Sequence, residues 1–180
     1  MGNVFASLWP FRRDPNRALA SRLLEAVVAA SREPALYGPE RILDTFEGRL
    51  EAAMVFAALA QIRLAREPEA RPLAQAFSDA LFRWFDSGLY EAGIGYQNVP
   101  KRIRAMGERF YGRVQAYAGG VEAGDENGLA EALARNIARA APADWPFAPV
   151  LARHALHVAA AQANLPVTGL AEASAWPSFS

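Results

Sequence analysis

Two pairs of side chains in this sequence have the types and spacing that acid–base or metal chemistry uses. Asp44 and Glu47 are carboxylates three positions apart, and His154 and His157, the two histidines of the chain, have the same spacing. Paired carboxylates can act as general acid and base, and histidines at helical spacing can supply two metal ligands. Each pair also has a structural explanation, which we favour: a capping box for the carboxylates, and one core-edge and one solvated ring for the histidines.

The acidic pair has a second structural explanation, which is an ion pair with an arginine. Arg49 follows the pair closely, and arginines of a later helix are further candidates. The cap and the ion pair both remain open at this point, and neither of them involves catalysis.

A glycine pattern at 93–95 precedes a predicted helix start, where a phosphate group can bind. Asn98 stands where a dinucleotide-binding fingerprint has its third glycine, and no predicted strand precedes the pattern. The chain also has no P-loop and no nucleophile elbow. We therefore expect a loop at these glycines, and we expect the protein not to be an enzyme.

A basic row on one predicted helix is the strongest sign of a binding surface. Five cations and one anion, Glu108, lie within residues 101–113, although the whole chain has a net charge of zero. Such a local excess suits acidic protein, ribosomal RNA or anionic lipid, and Tyr111 beside it suits an interface anchor. The cations of the row are Lys101, Arg102, Arg104, Arg109 and Arg113.

Apolar residues recur at helical spacing beside this row and predict the helix that carries it. Asn98 can cap the helix, Pro100 fits its first turn, and the glycine pair at 119–120 predicts its end. One flank of the apolar stripe carries Arg102, Arg109 and Arg113, so we expect these cations to face the solvent. The stripe itself consists of Ile103, Met106, Gly107, Phe110, Val114 and Tyr117.

Helix signals along the whole chain predict an all-α fold, a single helical-bundle domain of about six or seven helices. The stretch 52–60 is apolar all round and is expected to form a buried central helix. We expect an N-terminal segment at 1–13, flexible or touching a membrane or partner, a domain over 14–164 and a tail over 165–180.

Composition excludes several classes of protein. The chain has no cysteine, which excludes a thiol nucleophile, a disulfide scaffold and a zinc–thiolate site. A neutral net charge argues against a general nucleic-acid binder, so we expect no specific DNA binding. No apolar run reaches the roughly 20 residues of a membrane-spanning helix, and we expect a cytoplasmic protein.

The chain resembles the ubiquinol–cytochrome c chaperone family over about residues 35–117. Three blocks carry the resemblance in the family's order: Leu36-Tyr37-Gly38-Pro39 leading to Asp44-Thr45-Phe46-Glu47-Gly48-Arg49; Leu81-Phe82 through Asp86; and Gly93-Ile94-Gly95 through Val99-Pro100-Lys101-Arg102 to Phe110-Tyr111-Gly112-Arg113.

The resemblance implies an all-α assembly chaperone for the cytochrome bc1 complex, without catalytic activity and without a cofactor. It implies cytochrome b or its nascent chain as the client, and the ribosome, a small helical partner protein or an anionic membrane surface as further partners. It also implies a place at the inner face of the inner membrane, and the Ala/Arg-rich composition suggests a bacterial relative. The expected partner-binding residues are the basic row and Tyr111, together with Tyr37, Asp44, Glu47, Arg49 and Tyr96.

Two other functions remain open from the sequence. One is a haem carrier that uses His154 or His157. The other is a peripheral membrane- or ribosome-binding helical module without a dedicated client.

Overall fold

The computed structural model of the chain describes residues 15–91 and 99–179, with side chains over 15–88 and 104–179. Within these ranges it contains six α-helices and no strand, which confirms the predicted all-α class. The helices are α1 (Pro15–Ser31), α2 (Phe46–Ala65), α3 (Arg71–Glu91), α4 (Val99–Ala123), α5 (Glu126–Leu133) and α6 (Phe147–Ala163).

Helix α2 is the centre of the bundle, as its apolar sequence predicts. Every residue from 50 to 60 is buried, and α2 contacts α1, α3, α4 and α6. Alanines fill much of this stretch, and their small side chains allow neighbouring helices to approach α2 closely. The central helix therefore determines where the other helices can lie.

The start of α2 differs from the prediction, because Thr45 and not Asp44 is its N-cap. The Thr45 hydroxyl oxygen accepts a hydrogen bond from the Gly48 amide at 3.1 Å. The Asp44 carboxylate instead accepts a hydrogen bond from Arg49, with 2.6 Å between Arg49 Nε and Asp44 Oδ1. The predicted capping box is wrong because an arginine one turn into the helix takes the carboxylate, and the neighbouring hydroxyl is left to cap.

Helix α4 continues through the glycine pair at 119–120 to Ala123, so the predicted end at these glycines is wrong. A Cβ atom at Gly120 would lie 3.0 Å from the Cβ of Leu129 in α5. Close packing between α4 and α5 explains the glycine there and outweighs its weak helix propensity. The chain turns at Gly124, whose φ is +65°.

The segment after α6 packs on the bundle in two short 3₁₀ turns, Val167–Ala171 and Ala173–Ala175. The indole Nε1 of Trp176 donates to the Leu170 carbonyl at 2.8 Å, and the Phe179 amide donates to Glu33 Oε2 at 2.6 Å. The Phe179 bond joins this segment to the residues just after α1, and the Gln162 side chain of α6 donates to the Ala175 carbonyl at 3.3 Å.

Candidate functional site

A partly buried ionic cluster joins α2 to α4 and contains two cations of the predicted basic row. Glu51 of α2, with a side chain only 4% exposed, accepts hydrogen bonds from Arg113 Nη2 at 2.9 Å and Nε at 3.2 Å. Arg109 donates to both Glu51 and Glu47. Two carboxylates and two guanidinium groups therefore neutralise one another between the helices.

The expectation that Arg109 and Arg113 face the solvent is wrong. Their side chains are 29% and 16% exposed, and both contact Glu51. An ionised carboxylate in a helix interface is unfavourable unless cations and hydrogen bonds compensate its lost hydration, and these arginines supply them. Burial alone would lower the pKa of Arg109, but its hydrogen bonds to Glu47 and Glu51 raise that pKa above its usual value.

The ion-pair explanation of the acidic pair is confirmed for both of its members. Glu47 bonds to Arg109 of α4, and Asp44 bonds to Arg49 of its own segment. The two carboxylates therefore have different partners on different elements, and their spacing needs no acid–base chemistry.

The other cations of the basic row lie nearer the start of α4. Arg104 is exposed. Lys101 and Arg102 belong to α4, but their side chains lie outside the described ones, and Tyr96 lies outside the described residues. Tyr111 is 40% exposed, and its hydroxyl donates to Ser78 Oγ at 3.0 Å.

Tyr37 and Arg49 lie together beside the start of α2. The Arg49 guanidinium carbon is 5.5 Å from the Tyr37 ring centroid, a cation–π distance. The Tyr37 hydroxyl donates to the Ser31 carbonyl at 2.5 Å, which fixes the ring. Burial raises the pKa of Tyr37 against the opposing effect of Arg49.

A groove of about 490 Å³ opens next to these two residues, between the end of α1, the start of α2 and the end of α3. We call it the Tyr37–Trp84 groove. Tyr37 and Arg49 were predicted from the sequence as partner-binding residues. The aromatic wall was not predicted, because side chains that line a groove and side chains that fill a core follow the same helical spacing. The groove is lined chiefly by Arg32, Tyr37, Phe46, Arg49, Trp84 and Phe85.

Two apolar side chains are exposed to solvent, one in the turn before α2 and one at the first residue of the helix. Leu43 is 67% exposed and Phe46 is 42% exposed. A Cβ atom at Gly48 would lie 2.0 Å from the Leu43 carbonyl oxygen, so only glycine permits this close turn. Leu43 and Phe46, which we call the apolar rim, are thus displayed on a tightly constrained backbone.

The histidine pair has the structural explanation that we favour. His154 lies at the core edge, with ring centroids 5.9 Å from Phe56 and 4.7 Å from Phe179, whereas His157 is exposed. Burial lowers the pKa of His154, against the opposing effect of Glu33.

Among the described residues, no group of three or more His, Cys, Asp or Glu side chains could hold a metal ion. None of the helices in these ranges combines the length and the hydropathy of a membrane-spanning segment.

Comparisons with known proteins give two matches over most of the chain. The family model described as ubiquinol-cytochrome C chaperone matches residues 41–177, well beyond the part that carries the sequence resemblance. A crystal structure of the Cbp3 homolog from Brucella abortus matches with a TM-score of 0.76 and 36% identity, over 92% of this chain and 90% of that one. No curated protein matches the chain.

Proposed function

This chain belongs to the ubiquinol–cytochrome c chaperone family, and from that premise we propose that it is a non-enzymatic assembly chaperone for the cytochrome bc1 complex. Its client is newly made cytochrome b or its nascent chain, which it holds until haem and partner subunits arrive. The observation that carries the proposal is the family match over residues 41–177. The shared fold of the Cbp3 homolog supports it.

The apolar rim supports a holding function. A membrane protein that is not yet assembled exposes apolar segments, and a chaperone must cover them with apolar surface of its own. Leu43 and Phe46 provide such surface outside the core. Because the close turn at Gly48 constrains the backbone that carries them, little backbone entropy is lost when they bind.

The cations of the basic row fall into two groups with different functions in this proposal. Arg109 and Arg113 hold α4 against α2 through Glu51, so their contribution to client binding is indirect. Lys101, Arg102 and Arg104, near the start of α4, are the cations that meet acidic groups of the client, the ribosome or anionic lipid. Tyr96 and Tyr111 belong to the same proposed surface. A small helical partner protein would bind there as well.

We place this activity on the cytoplasmic side, at the inner face of the inner membrane. Cytochrome b enters the membrane as it is made, so a chaperone that holds it must act where the nascent chain emerges. Cations on the chaperone surface would favour contact with anionic headgroups there.

Affinity capture from native membranes tests the proposal. We expect the full-length protein to enrich cytochrome b, and we expect the double variant Leu43→Ser, Phe46→Ser to lose most of that enrichment. Val150→Ser is the matched control, because Val150 is an apolar side chain of α6 that is 38% exposed and lies outside the rim. If the wild-type protein recovers no cytochrome b, the proposed client is wrong.

A further inference from the structure

The Tyr37–Trp84 groove has an apolar wall built from two helices. Phe46 and Leu50 come from α2, and Trp84 and Phe85 come from α3, with 5.4 Å between the last two ring centroids. Leu50 and Phe85 are only 7% and 3% exposed and lie at the bottom of the groove, whereas Phe46 forms part of its mouth. A volume of about 490 Å³ accepts a large side chain with part of its backbone.

The other end of the groove is cationic. Arg32 and Arg49 line both the groove and an adjoining recess of about 390 Å³, which Asp44 also lines. Arg49 binds Asp44 through its Nε atom, and its Nη groups make no hydrogen bond to any described residue. Arg32 is exposed and forms no ion pair within the described ranges. These three side chains carry two positive charges and one negative charge, which leaves an excess of one positive charge.

From this arrangement we propose that the groove binds a polypeptide segment in which a large apolar side chain stands next to a carboxylate. The apolar side chain enters between Phe46 and Trp84, and the carboxylate meets Arg32 and the Nη groups of Arg49. The inference rests on the proposed function, because the segment would belong to the client.

A polypeptide fits this geometry better than the headgroup layer of a membrane does. Leu50 and Phe85 at the bottom of the groove are nearly buried, so a group must project from its carrier to contact them, and side chains project from a peptide backbone in this way. The carboxylate must also lie within one or two residues of the apolar side chain, because the recess shares Arg32, Tyr37 and Arg49 with the groove.

Titration of the full-length, isotope-labelled protein with two short synthetic peptides tests this proposal by NMR. The first is acetyl-Gly-Ser-Leu-Trp-Asp-Glu-Ser-Gly-amide, and the second has Asn-Gln in place of Asp-Glu. We expect the acidic peptide to shift the Trp84 indole N–H signal, and we expect this shift to reach a plateau as the peptide concentration rises. Because charge-assisted hydrogen bonds are lost, we expect the neutral peptide to bind about tenfold more weakly.

Matched arginine variants identify the cationic end. We expect the double variant Arg32→Gln, Arg49→Gln to bind the acidic peptide about tenfold more weakly, with little change for the neutral peptide. Arg153→Gln is the control, because Arg153 is an exposed, ion-paired arginine of α6 that does not line the groove. If the double variant is unstable, Arg32→Gln alone still tests the proposal, since Arg32 has no ion pair to lose among the described residues.

Three results would overturn the proposal: no binding of the acidic peptide, equal binding of both peptides, or unchanged binding to the arginine variants. Vesicles of phosphatidylglycerol that shift the Trp84 signal when the peptide does not would also overturn it, in favour of a lipid. Capture of cytochrome b by the double arginine variant as efficiently as by the wild type would refute the groove assignment and leave the proposed function intact.

Discussion

Glu51 of α2 accepts two hydrogen bonds from Arg113 of α4, one from Nη2 at 2.9 Å and one from Nε at 3.2 Å. This two-point contact fixes both the distance and the orientation between a buried carboxylate and a guanidinium group. It also fixes the register of α4 on the central helix. Since α4 carries the rest of the basic row, Glu51 positions that surface without belonging to it.

The first prediction concerns this contact and the stability of the bundle. We expect Glu51→Ala to lower the free energy of unfolding by about 3 to 5 kcal/mol, because it leaves two partly buried guanidinium groups without their shared carboxylate. Urea denaturation followed by circular dichroism measures the change. Glu126→Ala, which breaks the exposed pair with Arg153, is the control and should cost less than about 1 kcal/mol. Equal losses for the two variants would contradict the assigned importance of the cluster.

A second prediction follows from the close turn before α2. We expect Gly48→Ala to destabilise the protein by about 1 to 3 kcal/mol, because the new Cβ would lie 2.0 Å from the Leu43 carbonyl oxygen. Gly112→Ala in α4 is the matched control, since nothing lies within 4 Å of its added Cβ. That control should stabilise the protein by up to about 1 kcal/mol through helix propensity. Thermal unfolding distinguishes the expected loss of stability in Gly48→Ala from the expected gain in Gly112→Ala.

Some features of this fold were predictable from the sequence, and others were not. Helices, the buried α2 and the apolar stripe of α4 were predictable, because burial of one face imposes a spacing that can be read locally. The positions of Arg109 and Arg113 were not, because an arginine beside an apolar stripe looks solvent-facing until its partner on another helix is known. The available signal was Glu51, a charged residue directly before the apolar stretch 52–60.

The helix ends were the least predictable features for a similar reason. Asp44 and Thr45 are both good capping residues, and the choice between them depends on where the Arg49 side chain goes. The glycine pair at 119–120 looks like a helix end, and only the approach of Leu129 explains why the helix continues. Tertiary contacts decided both cases.

A third prediction concerns pH and His154. Its pKa is lowered by burial in the folded state, so protonation favours the unfolded state, in which the usual pKa of about 6.5 applies. The stability that neutral His154 contributes is therefore fully present above about pH 6.5 and decreases as the pH falls toward the folded-state pKa. We expect His154→Gln to flatten the change in unfolding free energy between about pH 7.5 and 5.5.

His157→Gln is the control for this pH effect, because His157 lies on the same helix and is exposed. Denaturation curves at several pH values for the three proteins make the comparison. A His154→Gln variant with the full wild-type pH dependence would contradict the buried position of this ring.

A fourth prediction separates the direct and indirect parts of the basic row. We expect Arg104→Glu to weaken capture of cytochrome b while leaving thermal stability nearly unchanged, because Arg104 is exposed. We expect Arg113→Gln to lower stability first, because it removes two hydrogen bonds from Glu51. Parallel measurement of melting temperature and capture yield tests the distinction. Loss of stability in Arg104→Glu would contradict it.

We propose that the protein holds cytochrome b while that client is newly made. Pulse-labelling of cells that express the affinity-tagged full-length chain, followed by a chase and capture at successive times, tests this most directly. We predict that labelled cytochrome b copurifies immediately after the pulse and leaves the chaperone as the labelled cytochrome bc1 complex appears. Recovery of no labelled cytochrome b, or of a constant amount throughout the chase, would contradict the claim.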